Sequence, residues 1–368
     1  LATGGNTVHI NFDGIVGGSQ GLGAIAITGV LDLNAAIADA NSLTVSGASL
    51  LDADITTSGN QTYSAAITLG TAARTLEGST IQTTTINGAQ NLAITGNLDL
   101  NGIIGGSTAI GVFSVSGTSN LGANVTTTGT QTYSGAVTLS TNATLTSSSD
   151  NFTFSSTVDS DSSTRNLTLS AGSGTIGITN AIGGNAALGT LTITQSGGTT
   201  FSGAVNADTV TLTDTTGSVT FAGSVDLETL NTADQTYNVI LNGDSNAITD
   251  AVTFSNTGYV TLVSGGDTSV FTGGVTAAIP SQINIGGTVQ STNTAIVLGA
   301  SGSHVIVLTA NSTITGNTSG AISLNGTVNG AYTLTLNTTA ATTFAATVGN
   351  SAPLIAITTN SGGTVVFN

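Results

Sequence analysis

The chain has 368 residues, of which only 5% are charged: 18 acids stand against two arginines, there is no lysine, and the net charge is −16. Several cations on one face are needed to neutralise phosphates, so we expect no nucleic-acid partner and no attraction to an anionic membrane surface. There is no cysteine for disulfides or thiolate metal sites, and no apolar run approaches the roughly 20 residues that span a bilayer, so no membrane insertion is expected.

Short alternating segments rich in β-branched residues predict strands along the whole chain. Hydrophobic residues make up 39% of the sequence, which is too apolar for a disordered chain, and proline occurs only at Pro280 and Pro353. A pentad recurs that opens with a large apolar residue, continues with small or polar residues and closes with a β-branched one. It begins at Phe12, Leu33, Leu51, Tyr63, Leu100, Leu121, Tyr133, Phe154, Ile178, Phe201, Phe221, Ile248, Phe271, Ile285, Leu324 and Phe344.

The spacing of this pentad predicts a β-solenoid with coils of about 20 residues. Two gaps are shorter, from Leu51 to Tyr63 and from Leu121 to Tyr133, which indicates two strands of one coil with the same local pattern. We expect about 17 coils in all, because each coil needs only its neighbours and the chain can exceed the usual size of a single core.

The first part of the chain contains a duplication longer than one coil. Residues 26–34 reappear with small changes as residues 93–101. The tripeptide Gln-Thr-Tyr at 61–63 reappears at 131–133, and a third, weaker echo lies at 235–237. Duplication of several coils at once would lengthen a solenoid without a new core.

Two coils can be laid over each other in the middle of the chain. Residues 190–194 match residues 209–213, and Phe201 matches Phe221. Since alternate side chains of a strand face opposite ways, Leu191 and Ile193 are predicted to point inward. Stacking predicts one inner column of Phe154, Ile178, Phe201 and Phe221, and a second of Val158, Ile182, Val205 and Val225.

The bends inside the pentads contain glycine. Gly203, Gly223 and Gly273 are predicted to take positive φ, which costs glycine nothing. Composition does not shift anywhere, so we predict one continuous solenoid domain over residues 1–368. The least regular stretch, residues 291–320, still contains strand-like runs at 296–298 and 305–308.

Neither end of the predicted solenoid shows a capping segment. Unpaired backbone groups of a terminal coil are normally covered by a polar cap or a helix. We therefore expect either that the solenoid continues into further sequence or that its ends bind other copies.

Candidate catalytic residues are few. His9 and His304 are the only imidazoles and are too far apart in a solenoid to form a dyad or a two-histidine metal site. A glycoside hydrolase needs only two carboxylates about 5 to 10 Å apart. Acids two residues apart on one strand occur as Asp52 with Asp54, Asp159 with Asp161, and Asp226 with Glu228. Such exposed pairs are usually solvated, so no catalytic residue and no enzymatic activity is predicted.

The same acids could hold a cation. Ca²⁺ takes six to eight oxygen ligands and accepts asparagine, serine and backbone carbonyls beside carboxylates. Asp150, Asp159 and Asp161 form the richest acidic group and are the predicted ligands of a structural Ca²⁺; no other cofactor is predicted.

Two surface features leave further interpretations open. Outward threonine ladders, such as residues 190, 192 and 194 above 209, 211 and 213, would suit ice binding if the coils had constant length, but their lengths vary. Asn-x-Ser/Thr triplets, which arise by chance in such a composition, begin at Asn60, Asn124, Asn142, Asn151, Asn166, Asn311, Asn317, Asn325 and Asn337.

The repeats resemble those of large bacterial surface proteins of the filamentous-haemagglutinin and autotransporter-adhesin type. The resemblance is carried by Thr-Thr-Thr-Gly-Thr-Gln-Thr-Tyr-Ser-Gly-Ala-Val-Thr-Leu at 126–139 and Gly-Ser-Val-Thr-Phe-Ala-Gly-Ser-Val at 217–225, and its style extends over nearly the whole chain. It implies a right-handed parallel β-helix exported to the cell surface, with a role in adhesion, matrix or filament formation. It transfers no functional residue.

Three hypotheses of function follow. The first is a non-enzymatic structural protein, a β-solenoid subunit or segment of an extracellular fibre or cell-surface layer that polymerises through its ends. The second is an adhesin stalk that binds a host or matrix glycan. The third is a carbohydrate-active enzyme with a groove that gathers acids from neighbouring coils.

Overall fold

The computed structural model describes residues 8–300, 304–360 and 362–368, which form strands joined by turns and bends, without a helix. Parallel strands stack into a β-solenoid of about 17 turns with a spacing of about 21 residues. The predicted fold class is therefore confirmed. The chain divides into two compact units, residues 1–175 (unit 1) and 176–368 (unit 2). The single continuous domain over residues 1–368 stays a prediction.

Unit 1 contains strands β1 to β20. Their bounds are β1 His9–Phe12, β2 Leu22–Ile27, β3 Val30–Leu33, β4 Ile37–Val45, β5 Ser49–Leu51, β6 Ile55–Thr57, β7 Gln61–Tyr63, β8 Ile67–Leu69, β9 Arg74–Thr83, β10 Ile86–Asn87, β11 Leu92–Leu100, β12 Phe113–Val115, β13 Ser119–Leu121, β14 Val125–Thr127, β15 Gln131–Tyr133, β16 Val137–Leu139, β17 Ala143–Ser147, β18 Phe152–Phe154, β19 Val158–Ser160 and β20 Leu167–Ser170.

Strand β21 begins at the last residue of unit 1, and the strands after it belong to unit 2. Their bounds are β21 Thr175–Ile178, β22 Leu188–Ser196, β23 Gly198–Phe201, β24 Val205–Thr215, β25 Ser218–Phe221, β26 Val225–Thr232, β27 Asn238–Leu241, β28 Ser245–Ile248, β29 Val252–Thr253, β30 Tyr259–Val263, β31 Thr268–Phe271, β32 Val275–Ala277, β33 Gln282–Ile285, β34 Thr288–Ser291, β35 Ile296–Leu298, β36 Val305–Leu308, β37 Ser312–Thr315, β38 Ile322–Leu324, β39 Thr327–Asn329, β40 Thr333–Asn337, β41 Ala341–Phe344, β42 Ala356–Thr359 and β43 Thr364–Phe367.

In unit 1, each strand pairs in parallel with a strand of the next coil. Leu33 of β3 lies opposite Leu51 of β5, and Leu51 lies opposite Leu69 of β8. All three leucines are buried, while Leu50, which points the other way, is exposed. Tyr63 belongs to a different column, because β7 pairs with β4 and β9. The prediction that Leu51 and Tyr63 lie on two strands of one coil is confirmed.

The duplicated segments of unit 1 share a backbone feature. Gly29 has φ of 139° and Gly96, its counterpart, has φ of 131°. Each glycine N–H donates to a serine hydroxyl of the next coil, Gly29 to Ser46 Oγ at 3.2 Å and Gly96 to Ser116 Oγ at 3.0 Å. Because this left-handed region is open mainly to glycine, the repeated glycine preserves the same corner in both copies.

Aromatic rings fill the core of unit 1. The ring centroids of Phe113 and Tyr133 lie 6.0 Å apart in an edge-to-face arrangement, and those of Tyr133 and Phe154 lie 5.0 Å apart and nearly parallel. All three side chains are almost completely buried. Such contacts add to the stabilisation that burial alone supplies.

In unit 2, the predicted register is confirmed. Strands β22 and β24 pair in parallel with Leu191 opposite Val210 and Ile193 opposite Leu212, all fully buried. Phe201 lies opposite Phe221, with ring centroids 4.8 Å apart. Three members of the second predicted column also stack, since Ile182 bridges Val205 and Val205 lies opposite Val225. The places of Phe154, Ile178 and Val158 in the two columns stay predictions. The alternation that predicted these columns follows from strand geometry alone.

The predicted role of three glycines is wrong. Gly203, Gly223 and Gly273 are not among the residues with positive φ. Their absent side chain serves another purpose: a Cβ at Gly273 would lie 2.6 Å from Asp250 C, and one at Gly223 would collide with the backbone of Gly203. These glycines let one coil pass directly over the backbone of the coil before it.

The irregular stretch from 291 to 320 contains the two predicted strands. Ile296–Leu298 is β35, which pairs with β32 and β38, and Val305–Leu308 is β36, which pairs with β33 and β39. Both strands bury alternate side chains. The two strands of this stretch therefore stack on their neighbours as the more regular strands do.

Candidate functional site

The predicted metal ligands lie around β19. Asp161 follows this strand and forms an ion pair with Arg165: Arg165 Nε donates to Asp161 Oδ1 at 2.9 Å, and Nη2 donates to Oδ2 at 2.8 Å. The backbone N–H of Ser163 also donates to Asp161 Oδ1 at 2.8 Å. Both carboxylate oxygens are thus used within one short loop.

These contacts change the acidity of both groups. The hydrogen bonds from Arg165 and then from Ser163 lower the pKa of Asp161, and the hydrogen bond to the carboxylate raises the pKa of Arg165. Both side chains are about a quarter exposed, 27% each, so water screens the pair. The pair closes the loop that leads into β20.

The other two predicted ligands are held differently. Asp150 precedes β18, and its backbone N–H and C=O both bond the Ser147 hydroxyl, at 2.8 and 2.7 Å. Asp159 lies within β19, opposite Thr138, and only 7% of it is exposed. Among the described residues, no three histidine, aspartate or glutamate side chains are grouped as metal ligands would be. A Ca²⁺ at Asp150, Asp159 and Asp161 stays a prediction, and Arg165 would compete with it for Asp161.

The first acidic pair also binds its neighbouring coil. Asp52 Oδ1 accepts from Thr71 N at 3.0 Å and lies 3.5 Å from Arg74 Nη2, and Asp54 Oδ1 accepts from Thr75 N at 2.8 Å. Arg74 is 8% exposed and donates from Nε to Leu51 O at 2.9 Å. Both arginines of the chain therefore pair with aspartates, and the pair Asp226 and Glu228 stays exposed on β26.

Asparagine side chains repeat this role throughout both units. In each case Oδ1 accepts a hydrogen bond from a backbone N–H of the next coil, 19 to 25 residues further along the chain. Asp52 and Asp54 accept the same kind of bond, and the N–O distances are 2.8 to 3.1 Å throughout. We call these residues the coil staples: Asp52, Asp54, Asn87, Asn91, Asn97, Asn124, Asn142, Asn151, Asn238, Asn293, Asn311 and Asn329. Four of them, Asn124, Asn142, Asn151 and Asn311, begin the glycosylation triplets noted in the sequence.

Most coil staples are neutral for a physical reason. Stacked coils repeat at about 4.8 Å, and carboxylates at that spacing would repel each other. An amide oxygen accepts the same hydrogen bond without a charge. The sequence signal for these sites is an asparagine at a coil corner, but its partner can be named only when the coil length is known.

Two matching polar corners lie inside unit 1. Gln131 Nε2 donates to Thr146 O at 2.9 Å and to Thr127 Oγ1 at 3.2 Å, and Tyr133 OH donates to Gln131 Oε1 at 3.0 Å. Thr127 Oγ1 donates to Gly129 O at 2.6 Å. Gln131 and Tyr133 are completely buried.

The matching corner at Gln61 and Tyr63, earlier in the chain, has the same bonds. Gln61 Nε2 donates to Glu77 O at 2.8 Å, and Tyr63 OH donates to Gln61 Oε1 at 2.9 Å. Burial raises the pKa of Tyr63 and of Tyr133 far above the ordinary value, because the phenolate would be stranded away from water. These corners hold no charge and serve the core.

The two histidines lie in different units. His9 is an exposed residue of β1, and His304 Nδ1 lies 3.3 Å from Ala300 N next to β36.

No pocket forms among the described residues. None of these residues forms a helix long and apolar enough to cross a membrane.

No family model, no curated protein and no solved structure matches the chain.

Proposed function

We propose that the chain is a non-enzymatic structural protein, a β-solenoid subunit or segment of an extracellular fibre or cell-surface layer that assembles end to end. The coil staples carry this proposal. They direct polar side chains in both units to backbone groups of the next coil, at 2.8 to 3.1 Å. A chain whose asparagines reinforce stacking is suited to resist separation of its coils.

End-to-end assembly would extend the pairing that operates within the chain. Phe367 of β43 stacks on Phe344 of β41 with ring centroids 4.7 Å apart, and 64% of Phe367 is exposed. Strand β43 pairs in parallel with β41 along one edge. Another coil, supplied by a second copy, would cover the ring and pair with the other edge.

Electron microscopy of the purified chain over a range of concentrations tests the proposal, and it should be repeated with and without Ca²⁺. We expect particles that lengthen into filaments as concentration rises. Lengthening that requires Ca²⁺ would support the ligand set of Asp150, Asp159 and Asp161. Uniform short particles at every concentration would contradict end-to-end assembly.

A pair of variants sharpens this test. Phe367→Asp places a charge on the exposed end ring and should prevent lengthening. Ile279→Asp is the matched control, since Ile279 is 49% exposed between β32 and β33 and lies outside the terminal strands. Circular dichroism should be the same for both variants and the parent chain. Equal lengthening of the two variants would exclude Phe367 as part of the contact.

An adhesin stalk that binds a glycan is the second candidate. It is supported by the outward side of β22, β24 and β26, where Thr190, Thr209 and Thr229 align across three coils. Rows of hydroxyls can bond sugar hydroxyls. Binding of the chain to immobilised host or matrix glycans, lost in Thr209→Val, would favour this candidate over the fibre.

A further inference from the structure

The chain contains five Asn-Gly pairs, at residues 87–88, 101–102, 242–243, 325–326 and 329–330. An Asn-Gly bond is prone to spontaneous deamidation, because no Cβ hinders attack of the glycine nitrogen on the asparagine Cγ. The side-chain nitrogen leaves as ammonia, a succinimide ring forms, and water opens it to aspartate or isoaspartate. The structure holds two of these five pairs in a way that differs from the others.

The first of these pairs lies in unit 1. Asn87 Oδ1 accepts hydrogen bonds from two successive backbone groups of the next coil, Ser107 N at 2.9 Å and Thr108 N at 3.3 Å. In return Gly88 N donates to Thr108 O at 3.3 Å. The receiving loop starts at Gly105, whose φ is 73° and whose N–H donates to Ile86 O at 2.7 Å. We call this arrangement an Asn-Gly clasp.

Unit 2 contains the same clasp, bond for bond. Asn329 Oδ1 accepts from Ser351 N at 3.0 Å and from Ala352 N at 3.3 Å, and Gly330 N donates to Ala352 O at 3.0 Å. Its receiving loop starts at Gly349, with φ of 74° and an N–H that donates to Val328 O at 2.7 Å. Even the two clasp glycines agree, since Gly88 and Gly330 both have φ of 135°.

Two other pairs have an exposed asparagine, followed by a half-buried glycine at 102 and a buried glycine at 243. Asn101 and Asn242 lie at the surface, and their backbone N–H groups donate to Thr83 O and Phe221 O, each at 2.8 Å. Neither side chain makes a hydrogen bond among the described residues. Asn325 is half-buried and lies between these two classes.

We propose that Asn101 and Asn242 are the deamidation sites of the folded protein, and that the clasps protect Asn87 and Asn329. Succinimide formation requires the asparagine Cγ to swing onto the glycine nitrogen and that nitrogen to lose its proton. In a clasp, two donors hold Oδ1 and a carbonyl holds the glycine N–H. The coil must open locally before the reaction can start, so the rate falls with the population of the open form. This proposal is independent of the fibre proposal.

The test is peptide mapping by mass spectrometry after incubation at mildly alkaline pH, with the chain folded and in denaturant. In the folded chain we expect deamidation at Asn87 and Asn329 to be at least about tenfold slower than at Asn101 and Asn242, as local opening dictates. In denaturant all five sites should react at similar rates. Equal rates at the clasped and exposed sites of the folded chain would overturn the proposal.

Proline scanning of the first receiving loop gives a matched pair of variants. Thr108→Pro removes one of the two N–H groups that hold Asn87 and should speed deamidation of Asn87 several-fold without changing Asn242. Ala109→Pro keeps both N–H groups, and unit 2 already has Pro353 at the equivalent position. It should leave Asn87 protected. An unchanged rate at Asn87 in Thr108→Pro would contradict the proposal; if that variant does not fold, the comparison of folded and denatured parent chain decides.

Discussion

The tripeptide Gln-Thr-Tyr folds in one way in unit 1 and in another in unit 2. At 61–63 and 131–133 the glutamine is completely buried and bonds the tyrosine hydroxyl. At 235–237 the glutamine is exposed, and Tyr237 OH instead accepts from Ala233 N at 3.0 Å and donates to Leu212 O at 3.4 Å. Tyrosine is buried in all three copies, and its hydroxyl has different partners in unit 2.

The preceding residues explain this difference. Both unit 1 copies follow Thr-x-Gly-x, in which the threonine hydroxyl donates to the glycine carbonyl, Thr57 to Gly59 at 2.8 Å and Thr127 to Gly129 at 2.6 Å. A Cβ at Gly59 would lie 2.6 Å from Asn41 O of the previous coil. Unit 2 has Ala233 in place of this glycine. The close approach to the previous coil at Gly59 therefore depends on glycine.

The largest expected effect is that of removing a buried glutamine. Gln131→Leu leaves the buried Tyr133 hydroxyl without its acceptor and removes the hydrogen bond from Gln131 to Thr146 O, and we expect it to destabilise the chain by about 3 kcal/mol. Gln235→Leu is the matched control, and we expect a change below about 0.5 kcal/mol because Gln235 is exposed. Urea unfolding followed by circular dichroism measures both. Equal shifts in the two variants would show that the buried corner adds nothing.

A smaller effect is expected from the glycine before the corner. Gly59→Ala forces Asn41 O of the neighbouring coil to move, and we expect a loss of about 2 kcal/mol. Gly23→Ala is the control, since no atom lies within 4 Å of a Cβ at that position. The thermal midpoint should fall for Gly59→Ala and stay within error for Gly23→Ala. A reversed order would contradict the role given to Gly59.

Alkaline pH separates Tyr237 from the two tyrosines of unit 1. Burial raises the pKa of Tyr63 and Tyr133 far above 10, and it raises the pKa of Tyr237 to about 12. Because the folded-state pKa is raised, this contribution to stability is complete below pH 10 and is lost as pH rises towards the folded-state pKa. At pH 11 the loss is about 1.4 kcal/mol for each fully buried tyrosine. Tyrosinate absorbance should show Tyr63 and Tyr133 ionising only as circular dichroism reports unfolding.

Low pH should have the smallest effect on stability, and it acts through Asp161, which lies outside the Gln-Thr-Tyr segments. The hydrogen bonds from Arg165 and Ser163 lower the pKa of Asp161 below 3.8, so its contribution is present above that pH and is lost as pH falls through the folded-state pKa. Urea midpoints between pH 5 and pH 2 should fall slightly more in the parent chain than in Arg165→Gln. The same slope in both would mean that the pair does not affect folding.

Strand alternation and repeat spacing were enough to predict the solenoid, because both are local properties of the backbone. The register of Leu191 and Ile193 on Val210 and Leu212 followed from matching two similar coils. The same reasoning fails for Gly203, because two properties of glycine suit a bend, freedom of φ and close approach, and the structure uses the second. Local sequence does not state how near the previous coil passes.

The candidate sites were less predictable for a related reason. The spacing of Asp159 and Asp161 predicts a shared face, but the carboxylate of Asp161 turns to Arg165 within its own loop. The coil staples and the Asn-Gly clasps join residues 19 to 25 positions apart. Which N–H an asparagine reaches depends on the length and bend of the intervening coil.

The amino-acid sequence by itself therefore determined that the chain forms parallel coils, which side chains face inward, and where whole coils are duplicated. Only the tertiary structure decided what each polar corner binds, as the three Gln-Thr-Tyr copies show. Inward and outward positions follow from the alternation of a single strand. Hydrogen-bond partners across coils depend on ångström-scale distances between segments, which are set only when the coils close.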